Sequence, residues 1–580
     1  NLSPNPESVQ EVAIQTNTFK VEQGRASSLT VAITTKSGTN DFHGSAAWFY
    51  TDRNLWARSE FTSKYEPFHK HDISGGVGGP ILKNRTFFFA SIEPLRSSIS
   101  SSTQIRTFET PEFVNWAKGV FPDTLGTQLL TQYPATNVAV TGVALTAQDV
   151  FGADCGTPDT FNIPCTLPMV NTGSSKPSPF RNGLQYNLRI DHNFNQNRDR
   201  LYGNYYRTGL ESENPAIRPS FESTNEYHTK ALQVNETHTF SASLLNEASF
   251  GYYVVQGTNI VAGHFSVPEI SIVGQDSGLG VGWGPGTFTQ RNYNWRDVVT
   301  LVRGTHTLKF GYEGWHGDDD VLAAGGFTGV YTRPTFTFSN LLDLVQDDPY
   351  DESGVSFDPL TGQQKDASYK FLAGRSAAFA QDEWKAKPNL TLTMGIRWDD
   401  FGNAYPAKDK GTILSNILLG SGTTMDERIA DASVLEVDHV FAHALNRNFS
   451  PRFGVAWDPK RDGRWLVRGG FGIFRDWPTL GFQENGIRGD PPGPVFPYFL
   501  RGTSPEPLFC VGTSDTLPYG YTYPTIPPTQ FDSRGGIVGV RVSVGGFDRE
   551  FSPPATYTYT AGVEHEVGRG LVVGASYSGS

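Results

Sequence analysis

The chain has 580 residues, enough for several soluble domains or for one very large closed β-sheet. Its 47 Lys and Arg against 59 Asp and Glu leave a formal net charge of −12, which argues against nucleic acid as a partner because phosphate-backbone binding needs a basic face. The 40 Phe, 23 Tyr and 62 Gly favour strands and turns, and no stretch approaches the roughly 18 apolar residues that a membrane-spanning helix needs.

Apolar and polar residues alternate with period two in segment after segment, a pattern that is typical of strands with two different faces. Fifteen segments carry it, and we predict one strand in each. In chain order the predicted strands are 41–52, 70–79, 85–96, 181–194, 200–209, 227–239, 244–256, 291–302, 306–316, 369–385, 390–402, 450–459, 464–475, 555–567 and 571–580. The predicted fold class is therefore all-β.

The clearest alternation lies in 389–402, which reads NLTLTMGIRWDDFG. The apolar face of this predicted strand includes Leu390, Leu392, Ile396 and Trp398. Arg397 and Asp399 fall on the opposite face. Such two-faced strands fit a soluble sandwich, with its apolar face on a core, and equally a membrane barrel, with its apolar face toward lipid.

The connections between the strands separate these two possibilities, because short and long ones alternate. The short connections are 79–84, 195–199, 240–243, 303–305, 386–389, 460–463 and 568–570. The long connections are 53–69, 97–180, 210–226, 257–290, 317–368, 403–449 and 476–554. This order predicts an antiparallel up-and-down transmembrane β-barrel with short periplasmic turns and long outer loops, in which Arg397 and Asp399 point inward and the apolar face meets lipid.

Three cysteines, Cys155, Cys165 and Cys510, all fall in predicted long loops. The short spacing of Cys155 and Cys165, with Gly and Pro residues between them, predicts a disulfide that closes a compact loop on the oxidising side of the membrane. Cys510 is predicted to stay unpaired. Three free thiols are the alternative.

Several motifs occur in a fixed order along the chain. They are VAIQTN at 12–17, EQGRA at 22–26, TKSGTN at 35–40, GGVGGPI at 75–81, FAQDEW at 379–384, GIRWD at 395–399, SPRFG at 450–454, GVEHE at 562–566 and GLVV at 570–573. In these motifs the chain resembles TonB-dependent outer-membrane receptors, in particular the Oar-like branch. Ser27 and Ser28 stand where that family usually has a glycine pair.

The resemblance implies two domains, the C-terminal part of a plug at 1–39 and a barrel at 40–580 that is truncated at its C-terminus. The family's barrel has about 22 strands, so fifteen predicted strands imply a piece of a longer protein that lacks its signal peptide, TonB box and most of the plug. We expect residues 1–39 to lie inside or beneath the lumen, with Arg25 as a marker, and the link at 36–40 to cross to the wall at the periplasmic rim.

The resemblance also implies a function. In this family a barrel in the bacterial outer membrane captures an extracellular ligand, and the TonB energy-transducing complex displaces the plug to let it through. We therefore expect partners of three kinds: TonB, through the missing N-terminal part; outer-membrane lipid; and an unknown ligand, which is a glycan, a peptide or a metal chelate. The substrate is not predicted.

Candidate site residues are few. Trp283, Trp315 and Trp477, near the bases of predicted outer loops, could stack on a ligand or could belong to an interfacial aromatic girdle. The carboxylates of Asp318, Asp319 and Asp320 could hold Ca²⁺, or they could form an ordinary solvated acidic loop.

No nucleophile elbow, phosphate-binding loop or zinc-hydrolase motif occurs, so neither catalysis nor a cofactor is predicted. Two other functions stay open, a passive outer-membrane porin or adhesin and a secreted all-β enzyme acting on glycans. The enzyme would need two convergent carboxylates, and no feature of the sequence identifies such a pair.

Overall fold

The computed structural model describes most of the chain. The described residues are 5–16, 20–24, 29–57, 68–99, 103–177, 179–261, 267, 269–280, 286–322, 335–353, 357–363, 368–485, 490–495, 499–500, 530–538, 544–568 and 570–580. Three residues that entered the predictions, Arg25, Trp283 and Cys510, lie outside them.

Fifteen long strands form one antiparallel sheet in which each strand pairs with its neighbours along the chain. They are β1 His43–Asp52, β2 Phe68–Leu82, β3 Thr86–Ile99, β4 Phe180–Phe194, β5 Asp199–Asn214, β6 Ser223–Ser241, β7 Leu244–Val261, β8 Gly286–Arg303, β9 His306–Leu322, β10 Tyr369–Lys387, β11 Leu390–Asp400, β12 Asn448–Trp457, β13 Trp465–Arg475, β14 Ala555–Gly568 and β15 Leu571–Gly579. The strands β1 and β15 are its edges, so the sheet is not closed.

Every one of these strands overlaps one predicted segment, which confirms the predicted meander. The main difference is at the connection between β5 and β6, predicted as 210–226 and found as 215–222. Here the strands continue through polar sequence, where apolar alternation no longer marks them. The short connections all lie at one end of the sheet, which we call the short-turn end. The long connections lie at the other, which we call the long-loop end.

The predicted facing of the strands is also confirmed. On β11, the Ile396 side chain is 48% exposed and the Arg397 side chain is buried at 4%, with Asp399 buried beside it on the same face. Apolar side chains exposed on the outer face of other strands include Leu188, Ile190, Phe250, Phe310, Tyr559 and Val563. An apolar outer wall and a polar inner wall are what a barrel in lipid requires.

The N-terminal hairpin, formed by Val9–Thr16 and Leu29–Thr35, is a separate two-stranded sheet. The link that follows it meets the short-turn end, where Asn40 Nδ2 donates to Asn84 Oδ1 at 2.7 Å. Gly38 lies so close to the wall that a Cβ atom there would be 2.3 Å from the Phe88 carbonyl oxygen. The link at 36–40 therefore reaches the wall at the end where we predicted the crossing.

The long connections, which were predicted as loops, contain helices and short strands. Their helices are Pro111–Val120, Leu125–Gln132, Ala147–Phe151, Leu341–Val345, Met425–Ala430 and Leu480–Asn485. Their strands are Gln104–Glu109, Ala139–Thr146, Pro168–Ser175, Glu269–Ile272, Gln275–Leu279, Thr335–Phe338, Asp351–Ser353, Tyr405–Pro406, Ser415–Leu418, Ser433–Glu436 and Phe499–Leu500. None of the helices in the described part of the chain is long and apolar enough to cross a membrane.

One hydrophobic core joins several of these connections into a unit that we call the outer module. Its fully buried residues include Phe113, Leu129, Met169, Val267, Phe336, Leu344 and Phe357. Within the module, Cys155 and Cys165 form a disulfide with their Cα atoms 5.5 Å apart, as their spacing predicted. The module is thus assembled from connections that leave the sheet between different pairs of strands.

A buried ion pair lies inside the outer module. The Arg218 side chain is 1% exposed, and its Nη2 and Nη1 atoms lie 2.6 Å and 3.1 Å from the two carboxylate oxygens of Glu109. Arg218 Nε also donates to the Ser277 carbonyl at 2.7 Å, and Nη1 donates to the Tyr133 carbonyl. One guanidinium therefore ties together four separate parts of the module.

A second core covers the neighbouring connections near β10 and β11. Its buried residues include Phe371, Phe401, Leu414, Val440 and Phe441. Beside this core, the buried Asp490 accepts a hydrogen bond from the Gly545 backbone N–H at 2.9 Å, and its own carbonyl accepts from the Ser415 hydroxyl at 3.0 Å. Burial raises the pKa of Asp490 to about 7, although the bond from Gly545 acts in the opposite direction.

This raised pKa predicts that the stability of the contact between Asp490 and Gly545 depends on pH. The folded state binds the Asp490 proton more tightly than the unfolded state, so its stabilising effect is complete below the ordinary value of 3.8 and is lost as the pH rises to about 7. The local free energy of unfolding should fall by roughly 1.4 kcal/mol per pH unit in that window. Hydrogen exchange at the Gly545 amide, corrected for intrinsic rates, measures this free energy. In Asp490→Asn its dependence on pH should be much weaker. An unchanged pH dependence in that variant would show that Asp490 is not the group responsible.

Candidate ligand cavity and inner segment

The inner segment, residues 20–24, lies on the inner face of the sheet. Val21 is fully buried and packs against Val298 on β8 and Phe379 on β10. Its backbone N–H donates to Gln381 Oε1 at 3.1 Å. Gly395 on β11 makes the approach possible, because a Cβ there would lie 2.5 Å from a Val21 methyl group.

Glu22 of the inner segment binds two cations of the wall. Its carboxylate oxygens lie 2.6 Å from Lys309 Nζ and 3.0 Å from Arg296 Nη2. Burial raises the pKa of Glu22, but the hydrogen bonds and charges of Lys309 and Arg296 outweigh this and hold it below its ordinary value. Glu22 is therefore ionised at neutral pH and is held on the wall by charge.

Two arginines of the wall bind backbone carbonyls of the inner segment. Arg397 Nη1 donates to the Val21 carbonyl at 3.3 Å, and Arg452 donates to the Lys20 and Gln23 carbonyls and, at 3.2 Å, to that of Gly24. Arg397 is itself fixed by Asp399 at 2.9 Å and Glu313 at 2.8 Å. The polar inner wall thus holds the segment mainly through hydrogen bonds and ion pairs.

A cavity of about 700 Å³ extends from this network toward the long-loop end. Its polar and aromatic lining includes Asn292, Asn294, Arg296, Glu313, Trp315 and Trp477. The guanidinium of Arg375 lies between the two indole rings, with its central carbon 3.7 Å from each ring centroid. Trp315 Nε1 also donates to Asn292 Oδ1 at 3.0 Å, which fixes the orientation of one indole.

The chemistry of the cavity is mixed. Side-chain amides offer donors and acceptors, the arginines offer cationic donors, and the indole rings offer flat apolar surface. Such a lining suits a polar ligand that also has an apolar or planar part.

The structure brings together two of the three predicted tryptophans. Trp315 on β9 and Trp477 in the connection after β13 meet at Arg375, facing the cavity rather than the outer wall. The alternative of a membrane girdle therefore does not fit these two residues. Trp283 is not among the described residues.

The three consecutive aspartates lie at the end of β9 and do not converge. Asp318 lies 3.0 Å from Arg291 Nη1 and 3.5 Å from Lys370 Nζ, while Asp320 faces the same way and lies 3.8 Å from Arg291. Asp319 points to the other face of the strand and accepts from a glutamine. The calcium prediction stays untested, and a bound ion would compete with these cations.

The arginines that organise the site were not among the predicted site residues. Arg375, Arg296 and Arg452 stand at inward positions of strands, where alternation says only that a residue is polar. Arg296 and Arg452 have partners in the inner segment, and Arg452 is 432 residues from Lys20. No local signal distinguishes such an arginine from one that merely faces water.

The sheet, its apolar outer wall and the occupied inner face define an outer-membrane β-barrel. The chain belongs to the family described as outer membrane beta barrel domain, whose model matches residues 34–580. Its location is the bacterial outer membrane. Over 103 residues it is 35% identical to the TonB-dependent transporter Oar of Myxococcus xanthus, a match that covers 16% of this chain and 10% of that protein.

Solved structures share the fold at low sequence identity. The outer membrane transporter YddB from Escherichia coli is 11% identical, with a TM-score of 0.51 over 98% of this chain and 56% of that one. A mutant of the ferric enterobactin receptor PfeA from Pseudomonas aeruginosa is 13% identical, with a TM-score of 0.51 over 98% and 57%. The chain thus spans little more than half the length of these structures.

Proposed function

We propose that the chain is the plug end and barrel portion of an outer-membrane receptor that imports its ligand when TonB displaces the plug. The observation that carries the proposal is the inner segment, which occupies the inner face next to a cavity open toward the long-loop end. The Myxococcus relative, named as a TonB-dependent transporter, supports the same function.

The contacts of the inner segment suit a plug that has to move. Arg397 and Arg452 bind backbone carbonyls, which any residue supplies, so the same donors can bind successive residues as a chain slides past. Val21 is the only fully buried apolar side chain among residues 20–24, and burying one such side chain contributes about 1.5–3 kcal/mol. A pulling force can break these contacts one at a time.

In this proposal the ligand binds first in the cavity, which it reaches from the cell surface past the second core, since Phe401, Trp477 and Leu480 line that part of the cavity. The stacked Trp315, Arg375 and Trp477 form part of its wall. Displacement of the inner segment then opens the path toward the periplasm. No bond of the ligand is made or broken, in keeping with relatives that are transporters and receptors.

The test uses cells that produce the full-length parent protein in its native outer membrane. Radiolabelled glycans, peptides and ferric chelates are offered with and without a functional TonB. We expect one class to accumulate in the periplasm only when TonB is present. Equal accumulation without TonB would overturn the proposal in favour of a passive pore, and hydrolysis of an offered glycan would favour the enzyme.

Replacing Trp477 with alanine should weaken uptake of the accumulated class by about five- to 150-fold, because stacking of a planar group on an aromatic ring contributes about 1–3 kcal/mol. The matched control is Trp457→Ala, since Trp457 is exposed at 43% on the outer wall of β12. Uptake is measured at low ligand concentration with surface protein quantified. Equal loss in both variants would mean that Trp477 acts only through stability.

A further inference from the structure

A mixed cluster of metal-ligating side chains lies far from the cavity, on β5 and β6. Ligand atoms of Asp199, Glu236 and His238 all lie within 4.8 Å of one another. In the described part of the chain this is the one group of three or more His, Cys, Asp or Glu residues that meets this distance. Because the cluster lies away from the cavity, ligand transport does not account for it.

The strand register explains why the three side chains meet. Asp199 is directly opposite His238 across the β5–β6 pair, and Glu236 precedes His238 by two residues on the same strand and so shares its face. Three ligands on a rigid sheet need little reorganisation to bind an ion. The side chains of His238 and Asp199 are 33% and 17% exposed, and Asp199 directly follows the short turn at the rim of the wall, where an aqueous ion can reach them.

Neighbouring groups orient two of the three ligands. Asn195 donates to one carboxylate oxygen of Asp199, while the other oxygen faces His238 Nδ1. The His238 ring meets the ring of Phe240 edge to face, with 4.1 Å between the centroids. Support of this kind for the ligating side chains is usual around metal ions in proteins.

We propose that Asp199, Glu236 and His238 bind a divalent transition-metal ion, with Zn²⁺ as the preferred occupant. One imidazole nitrogen and two carboxylate oxygens are ligands that Zn²⁺ accepts, and water completes the coordination. Two carboxylates also neutralise the charge of the ion. The ion would replace the direct contact between His238 and Asp199.

The position of the cluster gives the ion a structural role. It lies on the outer face, at the short-turn end, whereas β5 and β6 are joined to each other at the long-loop end through 215–222. A bound ion would therefore cross-link the ends of the two strands that no connection joins directly. Hydrogen exchange near 199 and 238 should slow when it binds.

The chain itself supplies a matched control. His306 Nδ1 lies 2.8 Å from Asp382 Oδ2 on neighbouring strands, again on the outer face at the short-turn end. The described residues place no third ligand within the same distance of this pair. A histidine–aspartate pair alone should bind Zn²⁺ much more weakly than the three-residue cluster.

The experiment titrates the purified, chelator-treated chain in detergent with Zn²⁺ alone and counts retained zinc by mass spectrometry after dialysis. We expect one zinc ion per chain in the wild type and in His306→Ala, and at least a tenfold loss of affinity in His238→Ala and in Glu236→Gln. Circular dichroism checks that the sheet is intact. The proposal is overturned if the wild type retains no zinc, or if His306→Ala loses as much zinc affinity as His238→Ala.

Discussion

Replacing Arg452 with alanine is expected to release the inner segment from the wall. The variant loses the donors to three backbone carbonyls, those of Lys20, Gln23 and Gly24. Hydrogen bonds from a charged group contribute about 1.5–3 kcal/mol each, and water can replace part of this in an opened segment. We expect a net loss of about 2 kcal/mol, and so an increase of about thirtyfold in the opening equilibrium of the segment.

Hydrogen exchange at the Val21 amide measures this change, because that N–H is bonded to Gln381 in the closed state. The control is Arg468→Ala, which removes an inward arginine of β13 whose partner is Glu564 on the neighbouring strand. In the Arg468→Ala variant, hydrogen exchange at the Val21 amide should match that of the wild type. An Arg452→Ala variant with wild-type exchange at Val21 would show that the backbone contacts do not hold the segment.

Replacing Arg218 with alanine is expected to unfold the outer module while the sheet stays intact. The change leaves the Glu109 carboxylate buried without its cation and removes the donors to the Ser277 and Tyr133 carbonyls. Breaking a buried pair by removing one partner costs about 3–5 kcal/mol. That is a large part of the stability of a unit of this size.

The measurement is the urea concentration at which a protease begins to cleave within 103–177. The double variant Arg218→Met with Glu109→Gln removes both charges and should recover part of the loss, because no unpaired charge remains. A single variant as resistant as the wild type would refute the importance of the pair. A double variant no better than the single one would point to the lost backbone bonds instead.

The strands of the sheet were predictable from sequence for a simple physical reason. Lipid on one side and polar groups on the other impose strict alternation, as Ile396 and Arg397 illustrate. The outer module was not predictable in the same way. Its core depends on contacts between residues far apart in sequence, such as Asp347 with the N–H groups of Leu125 and Gly126, both at 2.8 Å.

The candidate site was predictable only in part. Their positions near loop bases left Trp315 and Trp477 with two predicted roles, ligand stacking or an interfacial girdle, and both line the cavity. Arg375, which lies between them, occupies an ordinary inward position in β10. The facing of the three aspartates follows from alternation alone, because Asp318 and Asp320 point to one face of β9 and Asp319 to the other.

The construction of the outer module from distant connections sets an order for its biogenesis. Residues 111–132 are synthesised and exported well before their partners at 341–345, and closing so long a loop has an entropic cost that later contacts must offset. The module therefore consolidates only after β9 and the connection that follows it have been exported. Until then Phe113 and Leu129 lack part of the core that covers them. The Cys155–Cys165 bridge closes only a short loop, so it can form before residues 341–345 are exported. It then keeps the segment around it compact until the core is complete.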